Sequence, residues 1–320
     1  MHPHQFALYN IPTIRFFGGT VLEEHDIIIL GCGPAGIQAA IHSARRGANV
    51  LVLGKAANSA LAKGHIENYA FLEGVVSGAE MLRTGLAQLG RFGATLLEED
   101  AIHVSQSGDH FTVRSESGTE HSARAVILAT GMARKRLGVP GEKELEGKGV
   151  SYCVDCDANF FKKKRVVVTG DGSAAASGAL HLLHFTPHVT LVAPKLDISA
   201  GLMESLRTAK VNMVSDRKVK RIVGDDTVTA VELSDGSMLE ADGVFIEKGA
   251  KGVLSLGAEL GLAVDDQGNL AVDQNQATNV PGIFGAGDVT GPPWQMAKAV
   301  GEGCVAGIRA AELVKGGGKD

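Results

Sequence analysis

The chain has 320 residues, of which 44% are hydrophobic and 42 are glycine. This length suits two domains, and the composition fits an α/β protein with many tight loops better than a disordered or collagen-like chain. The net charge of −5 gives no basic excess for nucleic acid or an anionic membrane surface, and no apolar run is long enough to cross a bilayer. We therefore expect a cytoplasmic protein with no nucleic-acid or membrane partner, and no signal peptide in residues 1–24.

A first βαβ pattern begins at residue 26. Residues 26–30 predict a buried parallel strand, a glycine-rich turn follows at 31–36, and an alanine-rich helix is predicted to about Arg46. A second strand at 49–53 completes a unit that is typical of nucleotide-binding folds.

The same pattern returns about 140 residues later. Residues 165–169 predict a strand, which is followed by a second glycine-containing turn, a helix to about Phe185 and a strand at 189–192. Near the C-terminus, residues 283–289 predict a short strand, and a helix is expected over residues 295–314. Two βαβ openings in one chain predict two nucleotide-binding domains.

The first glycine loop has the features of a dinucleotide site. Gly31 permits the tight turn, Gly33 lets the backbone approach a pyrophosphate, and Gly36 lets helix and strand pack closely. The helix N-terminus would face the phosphates with its partial positive charge. A glycine-rich turn without a ligand is the alternative, and Gly54 stands where an acidic residue would bind a ribose. Because the loop lies between a clear strand and a clear helix, we interpret it as a binding site.

Cys153 and Cys156 form a CxxC pair in a chain with four cysteines. Two thiols at this spacing can close a small disulfide ring and exchange with another disulfide. Asp157 follows directly and can protonate a departing thiolate, with a solvated loop carboxylate or a helix cap as the alternative role. Zinc bound by the pair together with His181 and His184 is a rival, but a βαβ strand would separate the two ligand pairs. We therefore predict a redox-active dithiol and no metal site.

The second glycine loop is a weaker candidate for a dinucleotide site than the first. Gly170 and Gly172 are in place, and Ala175 can serve as the small third residue, but Asp171 puts a carboxylate where phosphates would lie. The segment 191–195 offers neither an acid for NAD nor an arginine for NADP. This pattern favours a retained fold that binds a dinucleotide poorly.

With these motifs in order, the chain resembles the low-molecular-weight flavin-dependent thioredoxin reductases from about Asp26 to Val314. The matching pieces are Gly-Cys-Gly-Pro-Ala-Gly at 31–36, Ile-Glu-Asn-Tyr at 66–69, Ala-Thr-Gly at 129–131, Cys153 and Cys156 with Asp157, and Gly-Ala-Gly-Asp at 285–288. In this family the acid at the second strand is often absent, so Gly54 is no objection.

The resemblance implies FAD as the cofactor and assigns a role to each matching residue. Asn68 would lie near the flavin, Asp288 would bond the ribityl chain, and Gln295 would lie at the flavin ring. Cys156 would face the flavin, Cys153 would attack the partner's disulfide, and Asp157 would be the acid. The cofactor-binding residues implied in this way are Gly31, Gly33, Pro34, Ala35, Gly36, Asn68, Ala129, Thr130, Gly131, Gly287, Asp288 and Gln295.

The resemblance also implies an architecture. We expect an α/β fold with two Rossmann-like, three-layer ββα nucleotide-binding domains, the second inserted in the first. A homodimer is typical of the family, and its two domains rotate to expose the cysteines. The expected boundaries are residues 1–24 for an N-terminal extension, 25–134 and 245–315 for the FAD domain, 135–244 for the domain with the CxxC pair, and 316–320 for a flexible tail.

Three departures from the family pattern bear on the electron donor. The arginines of the NADPH site are absent from residues 193–200, a Gly-Gly-Gln-Leu stretch is absent around residues 59–62, and Trp294 stands where an arginine usually precedes the glutamine. These departures resemble a branch that does not use NADPH, whose known members take electrons from ferredoxin.

We therefore expect an FAD-dependent disulfide reductase that acts on thioredoxin-like proteins, with ferredoxin favoured as donor. Two alternatives stay open from the sequence. One is a flavin-dependent dithiol oxidase that acts on a small molecule, and the other is a non-enzymatic flavin redox sensor.

Overall fold

The computed structural model describes residues 14–17, 20–132, 136–258 and 260–316, and it arranges them as two α/β units. In chain order the strands are β1 Ile14–Phe17, β2 Thr20–Leu30, β3 Val50–Leu53, β4 His65–Ile66, β5 Val76–Ser77, β6 Thr95–Leu97, β7 Ala101–Ser107, β8 His110–Ser115, β9 Glu120–Leu128, β10 Val150–Ser151, β11 Val166–Thr169, β12 Val189–Ala193, β13 Asn212–Ser215, β14 Val219–Gly224, β15 Val228–Leu233, β16 Met238–Glu240, β17 Gly243–Ile246 and β18 Ile283–Gly285.

The helices alternate with these strands in both units. The α-helices are α1 Pro34–Arg45, α2 Gly78–Arg91, α3 Val154–Asp157, α4 Ser173–Leu182, α5 Ala200–Thr208, α6 Val253–Gly257 and α7 Met296–Lys315. Short 3₁₀ turns cover Ala56–Asn58, Ala60–Lys63, Ala158–Phe161 and Asp288–Thr290. In the described part of the chain, no helix combines the length and the apolar character that crossing a membrane requires.

The first unit is built around a parallel sheet that is covered on both faces. Strands β6, β3, β2, β9 and β18 are parallel neighbours, and β8 and β7 continue from β9 as antiparallel strands. Along β2, Ile27 and Ile29 pack with α1, α2 and α7, whereas Ile28 and Leu30 pack towards β7 and β8. All four side chains are at most 1% exposed, which explains why the strand is apolar without alternation.

The second unit repeats this three-layer plan. Strands β10, β17, β11, β12 and β13 form a parallel sheet in that order, and β14, β15 and β16 form a separate antiparallel sheet. Val166 and Val168 pack against α4 and α5, while Val167 packs against β14 and β15. The two faces of the apolar strand β11 thus pack against different layers, helices on one side and a β-sheet on the other.

The second unit is inserted in the first, because β18 returns to pair with β9 after the whole second sheet has formed. This confirms the predicted fold class. The residue limits of the domains stay predictions, and two strands run across them. Strand β2 begins at Thr20, before the expected limit at residue 25, and β17 continues to Ile246 while it pairs with β10 and β11 of the second sheet.

Several element ends differ from those predicted. The strand expected over residues 283–289 stops at Gly285, because Gly287 with a φ of +89° leads into a 3₁₀ turn. Helix α4 ends at Leu182 instead of continuing to Phe185, and α7 ends at Lys315, where the C-terminal cap Gly316 has a φ of +74° that suits glycine. The rest of the predicted flexible tail, residues 317–320, lies outside the described residues, as do residues 1–13 of the predicted extension.

Candidate active site

A cavity of about 600 Å³ opens at the carboxyl ends of β2, β3, β9 and β18. This is the position at which ligands bind in open α/β sheets, and the volume is that of a cofactor site. Ten of the twelve residues predicted to hold the cofactor line it: Gly31, Gly33, Pro34, Ala35, Ala129, Thr130, Gly131, Gly287, Asp288 and Gln295.

The first glycine loop is shaped by close backbone contacts. A Cβ on Gly31, whose φ is +113°, would overlap the Ala129 carbonyl, and a Cβ on Gly36 would overlap the Gly31 carbonyl. Gly33 differs from both, because only Ser59 Oγ, at 3.4 Å, lies within 4 Å of the Cβ position. The backbone at Gly33 is therefore open to the cavity, and α1 begins at the next residue. This arrangement fits the pyrophosphate of a dinucleotide.

Asn68 and Gln295 come together at the rim of the cavity, although 227 residues separate them. Asn68 Nδ2 donates a hydrogen bond of 3.0 Å to Gln295 Oε1. Gln295 is the residue before α7, and Trp294 beside it lines the cavity with 57% of its surface exposed. The two residues predicted to lie near the flavin are therefore neighbours in space.

Asp288 lies in the wall of the same cavity, just after β18. Burial raises the pKa of its carboxyl, the nearby Lys298 lowers it, and Glu302 raises it again. Lys298 is fixed in place, since its Nζ donates to the Gly287 carbonyl at 2.9 Å and to Thr290 Oγ1 at 2.8 Å. Asp288 thus lines the cavity near a fixed cation, and hydroxyl groups of a bound ligand would reach its carboxylate there.

The CxxC pair forms a disulfide at the start of α3. Cys153 is the N-terminal cap of this helix, and its Sγ accepts the Cys156 N–H at 3.1 Å. Cys153 is buried, with 6% of its surface exposed, whereas Cys156 is exposed. Because each sulfur is bonded to the other, the zinc arrangement considered from the sequence is not formed.

Asp157 lies one residue beyond the pair and is held by a serine. Ser151 Oγ donates to Asp157 Oδ2 at 2.7 Å, and the same Oγ accepts the Cys153 N–H at 3.1 Å. The carboxyl is therefore part of one hydrogen-bonded turn with the buried cysteine. This position suits a proton donor for sulfur leaving groups.

A cluster of buried polar side chains lies beside α3, and the sequence did not predict it. Lys251 Nζ contacts both carboxylate oxygens of Asp155, at 2.8 and 3.1 Å, and Lys251 also lines the cavity. Glu247 Oε1 accepts the Val154 N–H at 2.9 Å. Burial raises the pKa of Glu247 to about 8, although the Val154 N–H and Lys251 oppose the shift. The redox turn is thus tied to the cavity wall by residues of the segment after β17.

The second glycine loop has very different surroundings. Ser173, the first residue of α4, donates to Asp100 Oδ2 of the first unit at 2.7 Å. Asp171 Oδ1 accepts the Gly249 N–H at 3.2 Å. Lys55 of the first unit pairs with Glu116 at 2.9 Å and donates to the Asp197 carbonyl at 3.2 Å. Two of these contacts, Ser173 with Asp100 and Lys55 with the Asp197 carbonyl, join the two units beside the second glycine loop.

The fold and the site together define a class of protein. Two Rossmann-like units, a dinucleotide cradle in the first and a disulfide turn against its wall in the second, are the parts of a flavoprotein disulfide oxidoreductase.

Comparisons with known proteins narrow the class to a family. A family model described as pyridine nucleotide-disulphide oxidoreductase matches residues 25–303. The thioredoxin reductase of Listeria innocua serovar 6a is 35% identical over 311 residues, which cover 91% of this chain and 94% of that protein. The chain belongs to the thioredoxin reductase family. Members of this family are FAD-dependent, and FAD is the cofactor of this chain.

Two solved structures are similar in fold and sequence. The atypical thioredoxin reductase TRi from Desulfovibrio vulgaris Hildenborough has a TM-score of 0.79 and 38% identity, and the match covers 91% of this chain and 98% of that one. A ferredoxin-flavin thioredoxin reductase from Clostridium acetobutylicum has a TM-score of 0.67 and 31% identity, with 92% and 99% covered. These comparisons give no support to the dithiol oxidase or the redox sensor.

Proposed function

We propose that this protein reduces the disulfide of a thioredoxin-like protein through Cys153 and Cys156, and that its electron donor is not NADPH. Ferredoxin is the donor that we favour. The observation that carries the proposal is the second glycine loop itself, where Asp171 accepts the Gly249 N–H at 3.2 Å and the nearby segment 193–200 has no arginine. A carboxylate of the loop thus takes the position in which an anionic ligand would need donors, and a rotation of the two units would not remove it from the loop.

NADPH needs cations that this region lacks. The segment 193–200 contains Lys195 as its one basic residue, and Lys195 is exposed. Each charge-assisted hydrogen bond to a phosphate contributes roughly 1.5–3 kcal/mol. The absence of two arginines would therefore weaken binding by on the order of 10²-fold or more. Asp171 adds negative charge within the same loop, which further disfavours a dinucleotide.

A protein donor of single electrons does not need the second glycine loop. It needs only to approach the edge of the flavin. Trp294 and Met132 line the cavity and are 57% and 44% exposed, so apolar surface is available at its rim for a docked protein. One similar structure is that of a ferredoxin-flavin thioredoxin reductase, which supports ferredoxin as the carrier.

Bound FAD would supply the electron pair that opens the Cys153–Cys156 disulfide. The Cys153 thiolate then attacks one sulfur of the partner's disulfide, so that a mixed disulfide forms and one partner thiolate leaves. Cys156 attacks Cys153 Sγ next, which re-forms the internal disulfide and releases the second partner thiolate. Asp157, oriented by Ser151, would pass protons from solvent to the leaving thiolates.

This sequence of steps requires a change in exposure, because Cys153 is buried in the observed conformation. We propose that the two units rotate relative to each other and that the protein acts as a homodimer. The contacts that such a rotation must break include three hydrogen bonds: Ser173 with Asp100, Lys55 with the Asp197 carbonyl and Ser199 with the Glu116 carbonyl. Each of them has a net worth of roughly 0.5–3 kcal/mol, because water replaces the lost partner.

Anaerobic stopped-flow reduction of the flavin tests the donor. We expect reduced ferredoxin to bleach the flavin absorbance in a fast phase and micromolar NADPH or NADH to leave it almost unchanged. A Lys195→Ala variant serves as a matched control and should behave like the wild type with both donors. Rapid bleaching of the wild type by micromolar NADPH would show that the missing arginines do not matter and that the donor is wrongly assigned.

A further inference from the structure

Three side chains with metal-binding groups meet at the end of the first sheet that is opposite the cavity. Glu23 and His25 are two residues apart on β2, so their side chains lie on the same face of the sheet. His121 on β9 pairs with Glu23 in parallel register and shares that face. From His25 to Leu30, where the cavity begins, β2 extends about 17 Å. The cluster is therefore separate from the redox site.

Both imidazole rings of this cluster are buried. The side chains of His25 and His121 are 4% and 2% exposed. In the described part of the chain, their ring nitrogens have only loose polar neighbours: Asn49 interacts with His25, and the Glu23 carboxylate lies 3.4 Å from His121 Nδ1. Buried polar atoms are well satisfied in most proteins, so two poorly satisfied imidazoles beside one carboxylate point to a ligand between them. Burial also lowers the pKa of both rings, which keeps them in the neutral form that binds metals.

The donor atoms are spaced for one small ion. Glu23 Oε2 lies 3.4 Å from His121 Nδ1 and 4.0 Å from His25 Nε2, and the three ligand atoms all lie within 4.8 Å of one another. Ligand atoms around a tetrahedral Zn²⁺ are about 3.3–3.5 Å apart. A shift of up to about 1.4 Å in the His25 ring would complete that geometry. Glu23 is 38% exposed, which leaves a path for the ion.

We propose that Glu23, His25 and His121 bind one divalent transition-metal ion of the Zn²⁺ type, with water as the fourth ligand. Two imidazole nitrogens and one carboxylate oxygen are a donor set that Zn²⁺ takes in proteins. The carboxylate of Glu99 interacts electrostatically with His121 and adds negative charge close to the ion. The ion would fasten β2 to β9 where Glu23 also pairs with Ile14 of β1, and it would not depend on the electron donor.

Equilibrium dialysis of the oxidised holoprotein against Zn²⁺, followed by metal analysis, tests this site. The closed Cys153–Cys156 disulfide keeps the redox thiolates from competing for the ion. We expect one Zn²⁺ per chain and a higher Tm in the presence of Zn²⁺. Glu23→Gln, at a partly exposed ligand, should keep the fold and weaken binding by about 100-fold or more. Removal of a direct ligand should reduce the metal affinity more than removal of a residue that only supports a ligand, which costs roughly 10–100-fold.

Matched variants locate the ion. His121→Gln should lose both Zn²⁺ and the rise in Tm, whereas His110→Gln, at an exposed histidine on β8, should keep both. A wild-type protein that binds no stoichiometric Zn²⁺ overturns the proposal. The proposal is also overturned if Glu23→Gln binds Zn²⁺ as well as the wild type does while replacement of His2 and His4 abolishes binding. The ion would then be held elsewhere.

Discussion

The two glycine loops share one strand–turn–helix framework but differ in what surrounds them. At the first loop, Gly31 and Gly33 open onto a cavity of about 600 Å³, and the N-terminus of α1 faces that space. At the second loop, the first residue of α4 is bonded to Asp100 of the other unit, and Asp171 bonds the backbone of Gly249. We propose that the first loop is a binding site, whereas the second makes a contact between the units.

The βαβ framework alone therefore does not decide which ligand binds. Residues from elsewhere in the chain decide it, because they fill or leave open the space at the helix N-terminus. In the second unit the chemistry that we propose has a different location, at the Cys153–Cys156 turn before β11.

Replacement of either redox cysteine should remove the function of the second unit completely. In Cys153→Ser and in Cys156→Ser, reduction of thioredoxin should fall to the uncatalysed background, because no internal disulfide can form. Cys156→Ser should in addition trap a mixed disulfide with thioredoxin through Cys153, visible on non-reducing gels. Cys304→Ser, on α7, is the control and should keep full activity. Turnover that survives in both redox variants would place the chemistry at another site.

A side chain at Gly33 should weaken the binding of FAD to the first loop. Gly33→Val places a side chain at the cavity wall where only Ser59 Oγ lies nearby, so the fold should tolerate it. The steric conflict with the pyrophosphate should weaken FAD binding by about 10-fold to 100-fold. FAD titration of the apoprotein, followed by fluorescence, measures this.

Gly301→Val on α7 is the matched control, because nothing lies within 4 Å of its Cβ position. It should bind FAD like the wild type. Full FAD content in Gly33→Val would mean that the loop is not the pyrophosphate site.

The buried Glu247 should make stability depend on pH. Its pKa is raised from 4.5 to about 8 mainly by burial, so between these values the folded state binds more protons than the unfolded state. The stability that this group contributes is full below pH 4.5, and it is lost as the pH rises towards 8. The free energy of unfolding should fall by up to about 1.4 kcal/mol per pH unit in this window.

Glu247→Gln should remove most of that slope, since the amide stays neutral and can still accept the Val154 N–H. Urea unfolding of both proteins at pH 5.5, 6.5 and 7.5 gives the comparison. Glu204→Gln, at an exposed position on α5, is the control and should keep the wild-type slope. Equal slopes in wild type and Glu247→Gln would show that Glu247 does not titrate in this range.

The smallest effect concerns the charge at the second loop. Asp171→Asn removes one negative charge and keeps an oxygen for the Gly249 N–H, so NADPH should reduce the flavin faster by at most about tenfold. Asp266→Asn, on an exposed loop of the first unit, should change nothing. If Asp171→Asn brought NADPH to the rate of ferredoxin, one carboxylate alone would exclude the dinucleotide.

Local features of the sequence predicted the glycine loop and the CxxC pair, whose roles stay predictions. The glycines at 31–36 and the two cysteines each fall within a few residues, so these motifs are visible in a single sequence. The meeting of Asn68 with Gln295 was available only through the family resemblance, because it joins the two ends of the first unit.

Contacts between distant segments were not predictable in this way. The pairs Ser173 with Asp100 and Lys251 with Asp155 join residues 73 and 96 positions apart, and no periodicity marks them. The Glu23, His25 and His121 cluster depends on the register of β2 with β9, so the sequence predicts no metal there. The raised pKa of Glu247 arises from burial, which only the folded chain creates.

The central claim is that electrons pass from a protein donor through FAD and the Cys153–Cys156 pair to thioredoxin. An anaerobic assay with reduced ferredoxin, the purified holoprotein and oxidised thioredoxin measures it directly by counting new thioredoxin thiols. We predict one thioredoxin dithiol for every two electrons supplied, with at least about 100-fold slower formation when NADPH replaces ferredoxin. Flavin reduction by ferredoxin without new thiols, or equal rates with NADPH, would contradict the claim.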